Sequence, residues 1–180
     1  TGIAALLLAL ATTAFVHSLQ DRAEIRDLVA EALPQSAPPS VVMRDALRYI
    51  ERNVPNVYPD EYYLLRAFKP TALQVLHGGG DCAYRARALI VMLDLHGIEA
   101  SKRAVYDASG RPVHAVVEVQ TERGSYVVDP LYHIVHENED GGPIPRQALR
   151  ERTTLAASIE HAAEQGNELA GTYPIDRYAL

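Results

Sequence analysis

The chain of 180 residues has a single cysteine, Cys82, and no tryptophan. One cysteine excludes an internal disulfide. It leaves the redox compartment open, because exported proteins also carry lone reactive thiols. It also removes the paired-cysteine zinc signatures. Basic residues are in short supply: 17 Lys and Arg stand against 23 Asp and Glu, for a net charge of −6 with His neutral. Nucleic-acid binders need clustered Lys and Arg, so no nucleic-acid partner is expected. Like charges never run five together, so there is no charged tail. Internal repeats and low-complexity tracts are also missing. The glycines at 78–80 lack the following Lys-Ser/Thr that a phosphate-binding loop needs.

Apolar residues make up 48% of the chain. That supplies a core for one domain of roughly 100–150 residues with a short extra segment. From Gly2 to Leu19 no residue is charged, and Ile3 to Leu10 is wholly apolar. Such a run meets the lower limit of ~17–25 residues for a membrane-spanning helix. Residues 1–20 are therefore expected to be a membrane anchor or uncleaved signal segment, with membrane association through 2–19. The expected location is membrane-anchored or exported, and otherwise cytoplasmic. The alternative is an Ala/Leu-rich helix buried against the domain or a partner. No initiating Met and no basic residue precede the run, so the chain is expected to start inside a longer one, and flanking charge gives no orientation.

Residues 21–33 form an amphipathic pattern with Ile25, Leu28, Val29 and Ala32 on one face. Pro34, Pro38 and Pro39 break it, placing a linker over 21–39 together with that helix and a main domain over 40–180. Ser40 is a good N-cap for the next helix, whose apolar side is Val41, Val42, Ala46, Leu47, Tyr49 and Ile50 and which Pro55 ends. A short helix is expected over 60–68, and Thr71 to Leu76 leads into the glycines. Asp81 opens a helix to about His96, with Gly97 as its stop and Ala86, Leu89, Ile90 and Leu93 as its buried stripe. Three strand-like runs follow at 100–106, 113–120 and 125–128. A turn at 107–110 joins the first two, and a hairpin loop at 121–124 joins the last two. Asn138 to Pro145 reads as a polar loop, 146–165 as mostly helical and the rest as irregular. Helices first and then an antiparallel sheet make the fold class α+β.

Cys82 stands at the head of a helix, where unpaired N–H groups and the macrodipole favour an anion. A helix N-terminus and a cationic neighbour are what turn a thiol into a nucleophile. Gly78, Gly79 and Gly80 add no bulk beside the sulfur and let backbone approach closely. The Cys82 N–H points out of the helix and can hold an oxyanion, with Gly80 and Tyr84 as neighbouring substrate candidates. The Asp81 carboxylate, as N-cap, opposes part of the positive field. His114 lies near the start of one strand and Asp129 closes the next. The hairpin sets them within about one register step, so the imidazole can bond the carboxylate through one nitrogen and take the thiol proton with the other.

Gly80-Asp81-Cys82 at a helix start, Gly97-Ile98 at its close, His114-Ala-Val-Val-Glu-Val119, and an aromatic followed by Asp129-Pro130 resemble the transglutaminase-like domain, a member of the papain-like cysteine fold. The similar part spans about Gly78 to Pro130. The resemblance implies a triad of Cys82, His114 and Asp129 working through a thioester, without cofactor or metal, on a peptide or protein amide. It covers transglutaminases, peptidases, amidases and inactive relatives, hence hydrolase or transferase chemistry. The family often carries Trp at the positions of Val116 and Tyr126. Gln74, upstream of the thiol, is a further oxyanion candidate, though an exposed glutamine is the ordinary reading.

His133, His136, Glu137, Glu139 and Asp140 cluster in sequence but fit no strong zinc spacing, and read as a solvated loop. His77 reads as a loop histidine, Arg85 and Arg87 as helix-surface charge, and Tyr58, Tyr62, Tyr63 and Tyr84 as cleft or core rings. Two other functions fit the sequence. One is a catalytically inactive transglutaminase-like domain acting as a peptide- or protein-binding subunit of a membrane-associated assembly. The other is a helical structural subunit whose N-terminus inserts among partner helices.

Overall fold

The computed structural model describes residues 5, 12, 16, 21–59 and 70–177. The expected anchor over 2–19, apart from the helical Ala5, Thr12 and Val16, and the expected short helix over 60–68 lie outside the described residues. Among the described residues no helix is long and apolar enough to cross a membrane.

The described chain is α+β, with five helices and one antiparallel sheet. Helix α1 covers 21–32, α2 Pro39–Asn53, α3 Ala72–Gly78, α4 Cys82–Asp94 and α5 Arg152–Glu164. The strands are β1 Ala100–Tyr106, β2 Pro112–Thr121, β3 Gly124–Asp129 and β4 Ile134–His136, in the spatial order β1-β2-β3-β4. Short 3-10 turns at Ala148–Arg150, Ala170–Thr172 and Ile175–Arg177 complete the C-terminal part.

Both faces of the sheet are covered. Val117, Val119, Tyr126 and Val128 pack with Leu89, Met92 and Leu93 of α4 and with the buried sides of α1, α2 and α3. Val105, Val116, Val127 and Ile134 pack on the other face with Leu149, Leu155, Ile159 and Tyr173. Each such apolar side chain contributes about 1.5–3 kcal/mol on burial. This is why Ala115, Val116 and Val117 are all buried in succession instead of alternating with solvent-facing residues. Ile25, Val29 and Leu33 share the first core, so the Pro34–Pro39 segment joins two parts of one packed body.

Ser40 does not cap α2. Pro38 holds the cap position and the helix starts at Pro39, where a missing N–H costs nothing. Instead the Ser40 N–H and hydroxyl both donate to the carboxylate of Glu122 at the tip of the β2–β3 hairpin. The sheet thus supplies the acceptor for the helix start. The sequence 71–78 is a full helix, opened by a capping box in which Thr71 and Gln74 bond each other's backbone. Ile134–His136, read from sequence as part of a solvated loop, is a fourth strand. His136 is fully buried there, and Glu137 is buried against Arg44 at 2.6 Å.

Candidate active site

Helix α4 begins at Cys82, and the Asp81 side chain accepts the N–H groups of Ala83 and Tyr84. The capping carboxylate therefore leaves the Cys82 N–H alone. The glycines before it serve the chain's own backbone. Gly79 has φ +87°, and a Cβ there would lie 2.5 Å from the carbonyl oxygens of both Pro55 and Val57. Only glycine admits that approach. Arg85, expected on the helix surface, is completely buried. Its Nε donates to the Gly80 carbonyl at 3.0 Å and an Nη to the Pro55 carbonyl at 2.5 Å. Burial lowers its pKa from the ordinary arginine value. This guanidinium ties the 54–57 segment to the turn that presents the thiol.

After α4 the chain reverses at Gly97, φ +70°, and enters β1. Helix α4 packs on β1 and β2, and the end of β1 pairs with the start of β2. There β2 bulges: Val105 pairs with His114 but Tyr106 pairs with Pro112, leaving Val113 as the extra residue. Bulges of this kind re-aim neighbouring side chains. Across the hairpin Val117 faces Val128, which puts Asp129 level with Val116 and diagonal to His114 on the same face.

The diagonal pair closes. His114 Nε2 lies 2.5 Å from Asp129 Oδ2, with both side chains withdrawn from solvent. Oδ1 of Asp129 accepts the N–H of Leu131 at 3.0 Å and of Tyr132 at 3.2 Å. The carboxylate is thus held at both oxygens, and Nδ1 is the imidazole nitrogen left for sulfur. The Cys82 side chain acts on the same imidazole, raising its pKa together with Asp129, and the cysteine itself is partly exposed. Burial by itself lowers the His114 pKa. The bonds to Asp129 and Cys82, with the negative charge behind them, outweigh it and raise the pKa from 6.5 to about 9. The Tyr132 ring meets the imidazole edge-on at 5.7 Å and packs on Tyr173 at 4.8 Å.

The structure therefore brings Cys82, His114 and Asp129 together. Tyr84 is close by, stacked on Tyr58 at 6.0 Å, and Gly80 is buried with its carbonyl committed to Arg85. Gln74 is not placed as an oxyanion donor. It is exposed, and its side-chain oxygen accepts the Thr71 N–H at 2.9 Å at the far end of α3. His77 is exposed and 3.9 Å from Glu24. The sequence reading missed the supporting roles of Arg85, Tyr132 and Tyr173. The aromatic residue at 132, three after Asp129, was the only local hint. His136 was also misjudged: its Nδ1 lies 2.9 Å from Ser158 Oγ and burial pushes its pKa down to about 4. The Ser158 hydroxyl donates to the Leu155 carbonyl, so the imidazole carries its proton on Nδ1. Among the described residues no group of His, Cys, Asp and Glu is placed to hold a metal ion. A cleft of about 840 Å³ between α1 and α2 is lined largely by charged side chains and contains none of the three site residues. No family model matches this chain, and it has no significant match among curated proteins or solved structures.

Proposed function

We propose that the protein is a thiol-dependent enzyme of the transglutaminase-like type, with a papain-like arrangement of its α+β fold, acting on peptide or protein amides. The observation that supports this best is the His114 imidazole. It bonds Asp129 through Nε2 and has the Cys82 side chain, at a helix start, as its other partner. His114 Nδ1 takes the thiol proton, and the sulfur attacks the amide carbon. The carbonyl oxygen becomes an oxyanion facing the Cys82 N–H. Collapse breaks the C–N bond while His114 returns its proton to the leaving amine or ammonia, and a thioester remains. Water or an amine then attacks the thioester, His114 takes the proton from that nucleophile, and the sulfur leaves and is reprotonated. Asp129 fixes the ring orientation and stabilises the imidazolium throughout.

The test is ammonia release and amine incorporation with glutamine-containing peptides, alongside cleavage of peptide amides. Cys82→Ser and His114→Ala are each expected to lower turnover at least about 1,000-fold with the fold retained. Turnover unchanged in either variant overturns the mechanism.

A further inference from the structure

We infer that Asn167, from the C-terminal segment, is a positioning residue for the Asp129–His114 pair, acting by clamping the strained turn that joins β3 to β4. The inference rests on the function proposed above. Residues 130–133 make this turn, and its start is bonded to Asp129 Oδ1 through the Leu131 and Tyr132 N–H groups. Its end is His133, at φ +56° the one non-glycine residue with positive φ among the described residues. A side chain bearing Cβ resists that conformation unless its surroundings impose it. Asn167 imposes it. Its Nδ2 donates to the Tyr132 carbonyl at 2.9 Å and to the His133 carbonyl at 3.0 Å. Its Oδ1 accepts the Leu169 N–H at 3.0 Å, and its own N–H donates to the Ala162 carbonyl at the end of α5.

One side-chain amide therefore fastens the C-terminal segment to the turn. What the turn carries is the site: Tyr132 lies edge-on to His114, and Asp129 is held through the same peptide groups. If the clamp opens, His133 can relax toward negative φ. The Tyr132 N–H and ring then move, and the carboxylate loses the geometry that binds Nε2.

The test uses the rate of Cys82 alkylation by iodoacetamide at pH 6.5, read by intact mass. Asn167→Ala removes the clamp. Asn167→Asp keeps the acceptor for Leu169 and removes both donors. Each is expected to slow alkylation about tenfold, the effect of a one-unit shift in the pH profile. Glycine adopts φ +56° without strain, so adding His133→Gly to Asn167→Ala is expected to restore the rate to within about twofold of wild type. A purely architectural Asn167 predicts no such rescue. The inference is overturned by wild-type rates in both Asn167 variants, by failure of the double variant to recover while His133→Gly alone is normal, or by loss of fold in both Asn167 variants. A wild-type protein that alkylates no faster than a small free thiol overturns the thiol–imidazole pair, and the inference with it. A fast wild type with unaffected variants overturns the inference alone.

Discussion

Asp129→Asn changes one charge and no shape, which makes it the cleanest perturbation of the site. The asparagine oxygen can still accept the Leu131 and Tyr132 N–H groups that Asp129 Oδ1 accepts now. Its NH₂ then faces His114 Nε2, which must become an acceptor. The ring proton moves to Nδ1, pointing at Cys82, and the imidazole can no longer take a proton from the thiol. With the carboxylate gone, the two Asp129 contributions that raise it are lost and the His114 pKa is expected to fall clearly from about 9 toward the ordinary value of 6.5. At pH 7 a group titrating near 9 is about 99% protonated, and one titrating near 6.5 is about 25% protonated. The rise from 6.5 to 9 also corresponds to an upper bound of about 3 kcal/mol of folding stability. Because the folded pKa is the higher one, that stability is complete below pH 6.5 and lost as the pH rises through 9. Urea unfolding of the wild type should weaken across this window, and Asp129→Asn should show a clearly smaller loss. Observing the His114 Hε1 resonance across the same pH range gives the pKa directly. A variant still titrating near 9, or a wild type titrating at or below 6.5, refutes the reasoning.

Two other predictions concern the support of the site. His136 is buried neutral with its pKa pushed down to about 4, so the unfolded chain binds the extra proton between pH 6.5 and 4. Stability should fall by up to about 3 kcal/mol as the pH drops through that range, and His136→Leu should flatten this limb in urea melts. Gly79→Ala places a Cβ 2.5 Å from two backbone carbonyl oxygens at φ +87°. It should cost about 3 kcal/mol, seen as a lower urea midpoint with unchanged slope. A midpoint equal to the wild type contradicts the packing of the 54–57 segment on the glycines.

Much of the site was legible in the sequence because its signals are local. Asp81 next to an apolar helical repeat marks the start of α4, and the short 121–124 hairpin fixes which residues of β2 and β3 are neighbours. Together these place Cys82, His114 and Asp129 on three element ends. What escaped depends on contacts distant in sequence. Ser40 meets Glu122, 82 residues away, so its local capping signal misled. Arg85 is a charge on the buried side of a helix, held there through Nε and one Nη by carbonyls that only the folded chain supplies. Strand β4 is three residues long and holds a histidine whose partner is on α5, so neither period nor polarity marked it. The clamp by Asn167 belongs to the same class, since nothing near residue 167 points to a turn at 130–133.

The most direct test of the thiol–imidazole pair uses the fact that Cys82 is the only cysteine, so intact mass reads its modification without ambiguity. Alkylation by iodoacetamide is followed from pH 5 to 10 in the wild type and in His114→Ala. A free thiol with pKa near 8.5 reacts slowly below neutrality. The wild type is expected to hold a substantial rate down to pH 6, and His114→Ala to lose that acid limb and follow a free thiol. Identical profiles in the two proteins, both rising only above pH 8, contradict the pair and the chemistry built on it.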